Sequence, residues 1–283
     1  MYDMLEEHIE RVELAHPKEL KAIASAVLKD DPIDSRTLAH LARLNYLPTA
    51  YAAPKEVRDL RLYTRHREWL VRQRTQAKNR IHAALASYNL VSPVSDLFGV
   101  KGRQFLSAAL EKVRPATKRV LVDNLDLVDR LTEQIQALEE DLQLTPEQRK
   151  TIKLLKTMPG IGKINAAVIA AEIGDVSRFD TPKALCNWAG LTPRVRKSDR
   201  SVRHGRISKR GSPYLRGAMT RAASIASYKS KRWQKVHQKL VPRCGKKGAK
   251  VAVARRLLTV AYHMLKRNQP YQEDYSKPSP VVR

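Results

Sequence analysis

The sequence predicts a mostly α-helical protein, and three observations carry the prediction. Between Lys55 and Tyr88 the chain runs without proline or glycine and keeps an interrupted apolar stripe at helical spacing. Between Leu121 and Leu142 apolar residues recur three and four apart, as in a heptad repeat. Beyond Leu144, helix-start signals alternate with apolar helical runs, and a Pro-Gly-x-Gly hairpin separates two of them.

Composition narrows the function. A chain of 283 residues can bury a real core and hold two or more units. Its formal charge of +26 repels itself in isolation and implies a polyanionic partner. No apolar run approaches the roughly 18 residues that span a bilayer. The acidic start, Met1 to Glu7, lacks the basic-then-apolar pattern of a signal peptide. No membrane is therefore expected. Cys186 and Cys244 stand far apart without metal-ligand spacing, which predicts a reducing compartment and no zinc site. The expectation is a cytoplasmic protein that handles nucleic acid.

Residues 1–54 read as a first unit. Met4–Ile9 is helix-like, and Arg11–Ala15 alternates apolar and polar as a short strand does. Lys18–Leu28 returns to helical spacing. Asp31 before Pro32 marks a helix start with Asp31 as its cap, and Asp34 lies three residues on. Two readings stand. The acids favour the positive end of a helix dipole, or they are a pair of Mg2+-binding carboxylates.

Residues 55–113 form a basic helical region. Arg58, Arg61, Arg65, Arg67, Arg72, Arg74, Lys78 and Arg80 cover the faces that the apolar stripe leaves. Phosphate contact, with structured RNA as a candidate, is the reading preferred over a merely solvated face. Core packing is the expected role of Trp69, and base stacking by Tyr63, His66 and Trp69 is the alternative.

Residues 114–145 carry the heptad pattern. Leu121, Asn124, Val128, Leu131, Ile135, Leu138 and Leu142 form the seam, and acids surround it. The pattern predicts a coiled coil over 121–142 that joins copies of the chain, with Asn124 setting register. An amphipathic helix packed within its own chain gives the same pattern.

Residues 146–268 are the third block, opened by Thr145 as a cap with Pro146 at the first helical position. Met158-Pro159-Gly160-Ile161-Gly162-Lys163 reads as a helix-hairpin-helix turn. Its backbone N–H groups, with Lys163, suit phosphate oxygens, and a simple tight turn is the plainer reading. An apolar helix follows over Ala166–Ile173, then one from Pro182 through Trp188. Further helices are expected over Ser212–Ser227 and Ala249–Lys266.

The stretch from Gly190 to Gly211 reads as a basic, glycine-punctuated loop, a phosphate cradle around Ser198. From Arg194 to Arg256 there are 21 lysines and arginines against one acid, Asp199. Ser198 is the candidate nucleophile. Ser201 competes for that role, and a plain phosphate-binding loop serine is the other reading. Residues 269–283, with Pro270, Pro278 and Pro280, are expected to be a disordered tail.

Together these pieces resemble one family. The chain is similar to the bacterial insertion-sequence transposases that pair an N-terminal RuvC-like DEDD domain with a C-terminal transposase domain carrying a catalytic serine. Members of that family are recombinases guided by a structured bridge RNA. Lys29-Asp30-Asp31-Pro32-Ile33-Asp34-Ser35 resembles the family's Lys-x-Asp-x-x-Asp-Ala segment. Met158–Gly162 and Glu172–Phe179 resemble the start of its transposase domain. Ala189-Gly190-Leu191-Thr192-Pro193, Ser198, Gly205–Ser212 and Leu215-Arg216 resemble its core.

The resemblance implies a partial RuvC/RNase H-like α/β remnant over 1–54 and a helical transposase domain over 146–268. It implies Asp31 and Asp34 as catalytic Mg2+ ligands and Ser198 as the nucleophile that forms a phosphoserine link to DNA. It implies DNA contact by Gly160, Gly162, Lys163, Arg194, Arg196, Arg200, Arg203, Lys209 and Arg210. DNA, a structured guide RNA and further copies of the chain, as dimer or tetramer, are the implied partners, in a bacterial cytoplasm at the nucleoid. The family's first Asp and its Glu would lie upstream of Met1, so the expectation is either a mis-started chain with further sequence upstream or an N-terminally truncated copy with a weakened or absent Mg2+ site. The family usually has glycine after its serine, where this chain has Asp199. Two rival functions are a catalytically inactive DNA- or RNA-binding relative and a general basic RNA-binding protein.

Overall fold

A computed structural model describes residues 2–10, 12–16, 19–20, 31–198 and 201–273. The chain divides into two units, Met1–Lys55 and Glu56–Arg283. Helices dominate both, as the sequence predicts.

The first unit holds α1 (Tyr2–Glu6), β1 (Leu14–Ala15), α2 (Asp31–Arg43) and β2 (Thr49–Ala50). The strands pair antiparallel, Leu14 opposite Ala50 and Ala15 opposite Thr49. The strand expected over Arg11–Ala15 thus shrinks to its last two residues, Arg11 lying outside the described ones. Asn45 ends α2 with φ 53°, and the Tyr46 amide donates to Leu41 O at 2.8 Å, a left-handed helix stop. Apart from Glu19 and Leu20, the helix expected over Lys18–Leu28 lies outside the described residues.

In the second unit α3 (Lys55–Ala86), α4 (Val100–Leu110) and α5 (Pro115–Glu140) share one apolar seam. Ala77, Ile81 and Leu85 of α3 pack with Leu106, Leu121 and Val128. Leu70 packs with Leu131 and Ile135. The order of these contacts sets α3 and α5 antiparallel.

This corrects the coiled-coil expectation for 121–142. The stripe read as a seam for a second copy is covered by α3 of the same chain, because periodicity marks an apolar face without saying what covers it. Asn124 sets no register; its amide donates to Val120 O at 2.7 Å. The acids around the seam answer bases nearby. Arg67 donates to Glu139 at 2.6 Å, and Arg103 forks onto Asp129.

Part of the basic face of α3 is likewise engaged within the chain. Besides Arg67, Arg74 donates to Thr132 at 3.1 Å. Arg61 and Arg65 are spent on the C-terminal half of the unit, as described below. Where the helices meet, Tyr88 Oη lies 3.1 Å from Thr117 Oγ1 and accepts from Arg114 Nε at 3.1 Å. The bonds from Thr117 and Arg114 favour the phenolate and pull the Tyr88 phenol down to about 8. Absorbance at 295 nm should therefore show one tyrosine ionising about two units early, a step that Tyr88→Phe removes. The sign follows: the phenolate is favoured in the folded state, so its contribution is full above the unfolded value near 10 and is lost as pH falls through 8.

The C-terminal core is built around α7 (Lys163–Ile173), whose residues 166–173 are all buried. α6 (Pro146–Leu155) precedes it, opened by a capping box in which Thr145 and Gln148 satisfy each other's backbone amides. α8 (Pro182–Trp188), α9 (Pro213–Lys229) and α10 (Lys231–Arg267) complete the layer. Alanines at 166, 167, 170, 218, 222 and 226 let these helices approach closely.

Two C-terminal expectations change. The basic half of α10 before Cys244 escapes the sequence reading because Pro242 and Gly245 interrupt its pattern. Ser230 caps it, accepting from the Trp233 amide at 3.4 Å, and Gly245 (φ 71°) breaks it from the apolar half. The tail expected from Gln269 is structured to Glu273. Tyr271 N donates to Thr157 Oγ1 at 2.9 Å, and Trp233 Nε1 donates to Tyr271 Oη at 3.0 Å. Residues 274–283 lie outside the described ones.

Candidate active site

The stretch around Ser198 is a β-hairpin, which corrects its reading as a loop. β3 (Pro193–Ser198) pairs antiparallel with β4 (Ser201–Ile207). Val195 faces His204, Arg196 faces Arg203, and Ser198 faces Ser201. Val195, Val202 and Ile207 are the β-formers in this charge-rich stretch. Only Asp199 and Arg200 join the strands, and they lie outside the described residues. That pair lacks the Asn-Gly or Asp-Gly signal of a two-residue turn, which is why the hairpin is hard to see in sequence. A register shift between Pro193 and Val195 adds one residue on the β4 side.

The base of the hairpin is tightly specified. Gly211 has φ 79°, and a Cβ there would stand 1.7 Å from Trp188 O. Gly190 has φ 69°, and its Cβ would meet Arg210 O at 2.2 Å. The strands leave this crossing through Ser208 N donating to Thr192 O at 2.8 Å and Lys209 N to Gly190 O at 3.3 Å. Ser212 caps α9, and Arg216 Nη1 reaches back to Ala189 O at 3.2 Å. Ser198 therefore sits at the far end of a two-stranded arm rooted between α8 and α9.

Toward the root of the arm, Arg194, Arg206, Lys209 and Arg210 are exposed. Arg194 Nη2 donates to Ser208 O at 3.4 Å. Arg196 and Arg203 are placed by backbone register alone, and Arg200 lies outside the described residues.

The Glu172–Phe179 motif does structural work that positions the arm. Glu172 is buried at 1% exposure and accepts a fork from Arg65, at 2.7 and 3.0 Å. Arg61 donates to Ala171 O at 2.6 Å and Glu172 O at 3.2 Å, neutralising the negative end of α7. Asp175 accepts from Ser177 N at 2.8 Å and Ser177 Oγ at 2.5 Å. Those bonds hold its carboxyl below the usual carboxylate range. Arg178 lies over Phe179 at 4.1 Å and Trp188 at 4.6 Å, tying this turn to α8. The Glu172 clamp escapes sequence reading, although a lone carboxylate inside an apolar helix is its signal.

The helix-hairpin-helix residues divide in role. Gly160 (φ 84°) is a packing residue, since a Cβ would stand 2.4 Å from Ala222 O. Gly162 opens α7 with nothing within 4 Å of its Cβ position, and both it and Lys163 are exposed. Gly162 O accepts from Ala166 N at 2.9 Å, so the amides of Lys163, Ile164 and Asn165 precede the helix ladder.

Asp31 and Asp34 belong to the first unit. α2 begins at Asp31, so both lie in its first turn, and their side chains are outside the described ones. Among the described residues no three His, Cys, Asp or Glu gather as a metal group. No helix among them is long and apolar enough to cross a membrane.

Residues 1–90 match a family of transposases of the DEDD type, and residues 152–238 match the family described as Transposase IS116/IS110/IS902. The second match contains the whole hairpin. The chain belongs to this transposase family. It is 31% identical over 206 residues to a probable family 20 transposase of Pseudomonas aeruginosa, covering 69% of this chain and 58% of that protein. It is 34% identical over 154 residues to the pilin gene-inverting protein of Moraxella bovis, covering 52% and 46%. It is 27% identical over 254 residues to the transposase for insertion sequence element IS1111A of Coxiella burnetii, covering 86% and 68%. The chain thus spans 58% and 46% of the length of the Pseudomonas aeruginosa and Moraxella bovis relatives.

Proposed function

We propose that this transposase cuts and rejoins DNA strands of an insertion sequence through Ser198. The observation that supports it best is the rooted hairpin, which carries Ser198 to its tip among basic residues. Ser198 Oγ attacks a DNA phosphorus, forming an O–P bond as a P–O bond to deoxyribose breaks. The serine proton passes to a base and the departing sugar oxygen takes up a proton, so the link is exchanged without net hydrolysis. Attack by a second strand's hydroxyl reverses the step and rejoins DNA. Arg196, Arg200 and Arg203, near the tip in sequence, would neutralise the charge that gathers on the phosphoryl oxygens, and Arg194, Lys209 and Arg210 toward the root would hold the flanking DNA backbone.

Asp31 and Asp34, one turn apart at the start of α2, have a spacing that suits a Mg2+ ion held by two carboxylates. Such an ion supplies charge neutralisation at substrate phosphates. Gly162 and Lys163 at the open start of α7 would hold DNA backbone, with Gly160 seating the turn. A structured guide RNA and further copies of the chain complete the proposed assembly.

The experiment is strand exchange by the full chain on a plasmid carrying two insertion-sequence ends. Ser198→Ala should abolish exchange, while Ser201→Ala retains it. Exchange that survives Ser198→Ala would remove the serine from its role. Binding without exchange by the unaltered chain would instead support a DNA- or RNA-binding relative.

A further inference from the structure

We infer that one face of α3 is a platform for unpaired nucleobases, centred on Trp69. The sequence expectation was that Trp69 packs into a core. Instead it is 52% exposed on a helix whose Leu60, Leu70, Ala77, Ile81 and Leu85 are buried, and Leu62, two turns before it, is 68% exposed. His66 lies parallel to the indole, with ring centroids 5.7 Å apart and planes within 14°. The two rings thus form a stacked ledge rather than a flexible side chain in water.

The surroundings fit a nucleic acid better than a protein. At 3.6 residues per turn, Leu62, His66, Trp69, Gln73, Gln76 and Arg80 share one stripe along α3. Between Leu62 and Arg80 the sole acid is Glu68, and it is held by Arg72 at 3.7 Å and Arg221 at 3.4 Å. The stripe therefore offers aromatic faces, amides that pair with base edges, and a cation, with no free carboxylate to repel phosphate. A duplex hides its base faces, whereas single strands and loops expose them, so the fitting partner is unpaired nucleic acid. A mostly apolar stripe would have pointed to a protein instead. The site lies outside the hairpin, and its chemistry is independent of strand transfer.

The probes are oligo(dT), oligo(U) and a blunt duplex of the same length, bound to the full chain and read by anisotropy. Trp69→Ala should weaken the single strands about tenfold, as loss of base–aromatic stacking does, and leave the duplex unchanged. Trp69→Phe should keep most of the affinity. Trp188 and Trp233 pack against Phe179 and Tyr271, so quenching of tryptophan emission by oligo(U) should also vanish in Trp69→Ala. Stronger binding of oligo(U) than oligo(dT) would identify RNA as the source of the bases, and the reverse would identify single-stranded DNA. Equal loss on duplex and single strands, or no loss on either, overturns the platform. So does an unchanged affinity with an altered sedimentation coefficient, which would make the ledge a contact between protein chains.

Discussion

Gly211→Ala should destabilise the second unit by about 4 kcal/mol and collapse the root of the hairpin. Two costs combine at this position. The φ of 79° is left-handed, which costs an L-residue roughly 1–2 kcal/mol. The added Cβ would also stand 1.7 Å from Trp188 O, a backbone atom that cannot rotate away. Relief requires α8 and the start of α9 to separate, and the strands of the hairpin leave from that junction. Gly162→Ala is the matched control, with no atom within 4 Å and an ordinary φ. It should cost less than about 1 kcal/mol. Urea unfolding by circular dichroism compares the two, and near-equal midpoints would show that the crossing is not rigid.

Arg65→Ala should cost about 3–5 kcal/mol, the range for stripping a buried charge of its partner. Glu172 is 1% exposed and has no route to water, whereas Arg65 is 43% exposed on its side chain. The pair is therefore asymmetric. Removing Arg65 strands a carboxylate in an apolar helix bundle. Removing the charge from Glu172 leaves an arginine that water can still reach and that lies 5.0 Å from the Tyr214 ring. Glu172→Gln should thus cost clearly less than Arg65→Ala, and the double variant should recover part of the larger loss. A smaller effect for Arg65→Ala than for Glu172→Gln would mean that the carboxylate is not held as the geometry indicates. Loss of the clamp would also loosen α3 from α7, which Arg61 joins through two further bonds.

Much of this fold is legible in the sequence because its signals are local. The uninterrupted run after Lys55, the Thr145–Pro146 start and the apolar run Ala166–Ile173 each declare a helix with little help from the rest of the chain. What covers each face is not local. The stripe from Leu121 to Ile135 has the same spacing whether a second copy or α3 fills it. The nine lysines and arginines of α3 look alike in sequence, yet Arg61, Arg65, Arg67 and Arg74 are engaged by groups more than fifty residues away.

The candidate site was legible in residue type but not in form. Ser198 and its basic neighbours are evident, but the Asp199–Arg200 connection carries no turn residue that would announce a hairpin. Glycines 190 and 211 were visible as punctuation, while their real role, two close backbone crossings at the root, needs coordinates. Trp69 runs the other way, since propensity puts tryptophan inside and the structure leaves it at the surface.

The central claim is that the hairpin delivers Ser198 as a nucleophile to DNA. Its most direct measurement is recovery of a covalent protein–DNA adduct from a strand-exchange reaction stopped in detergent, followed by peptide mass spectrometry. The account predicts a phosphodiester-linked nucleotide on the peptide containing Ser198, present in Ser201→Ala and absent in Ser198→Ala. An adduct on another residue, an adduct that persists in Ser198→Ala, or strand exchange with no adduct at all would contradict it.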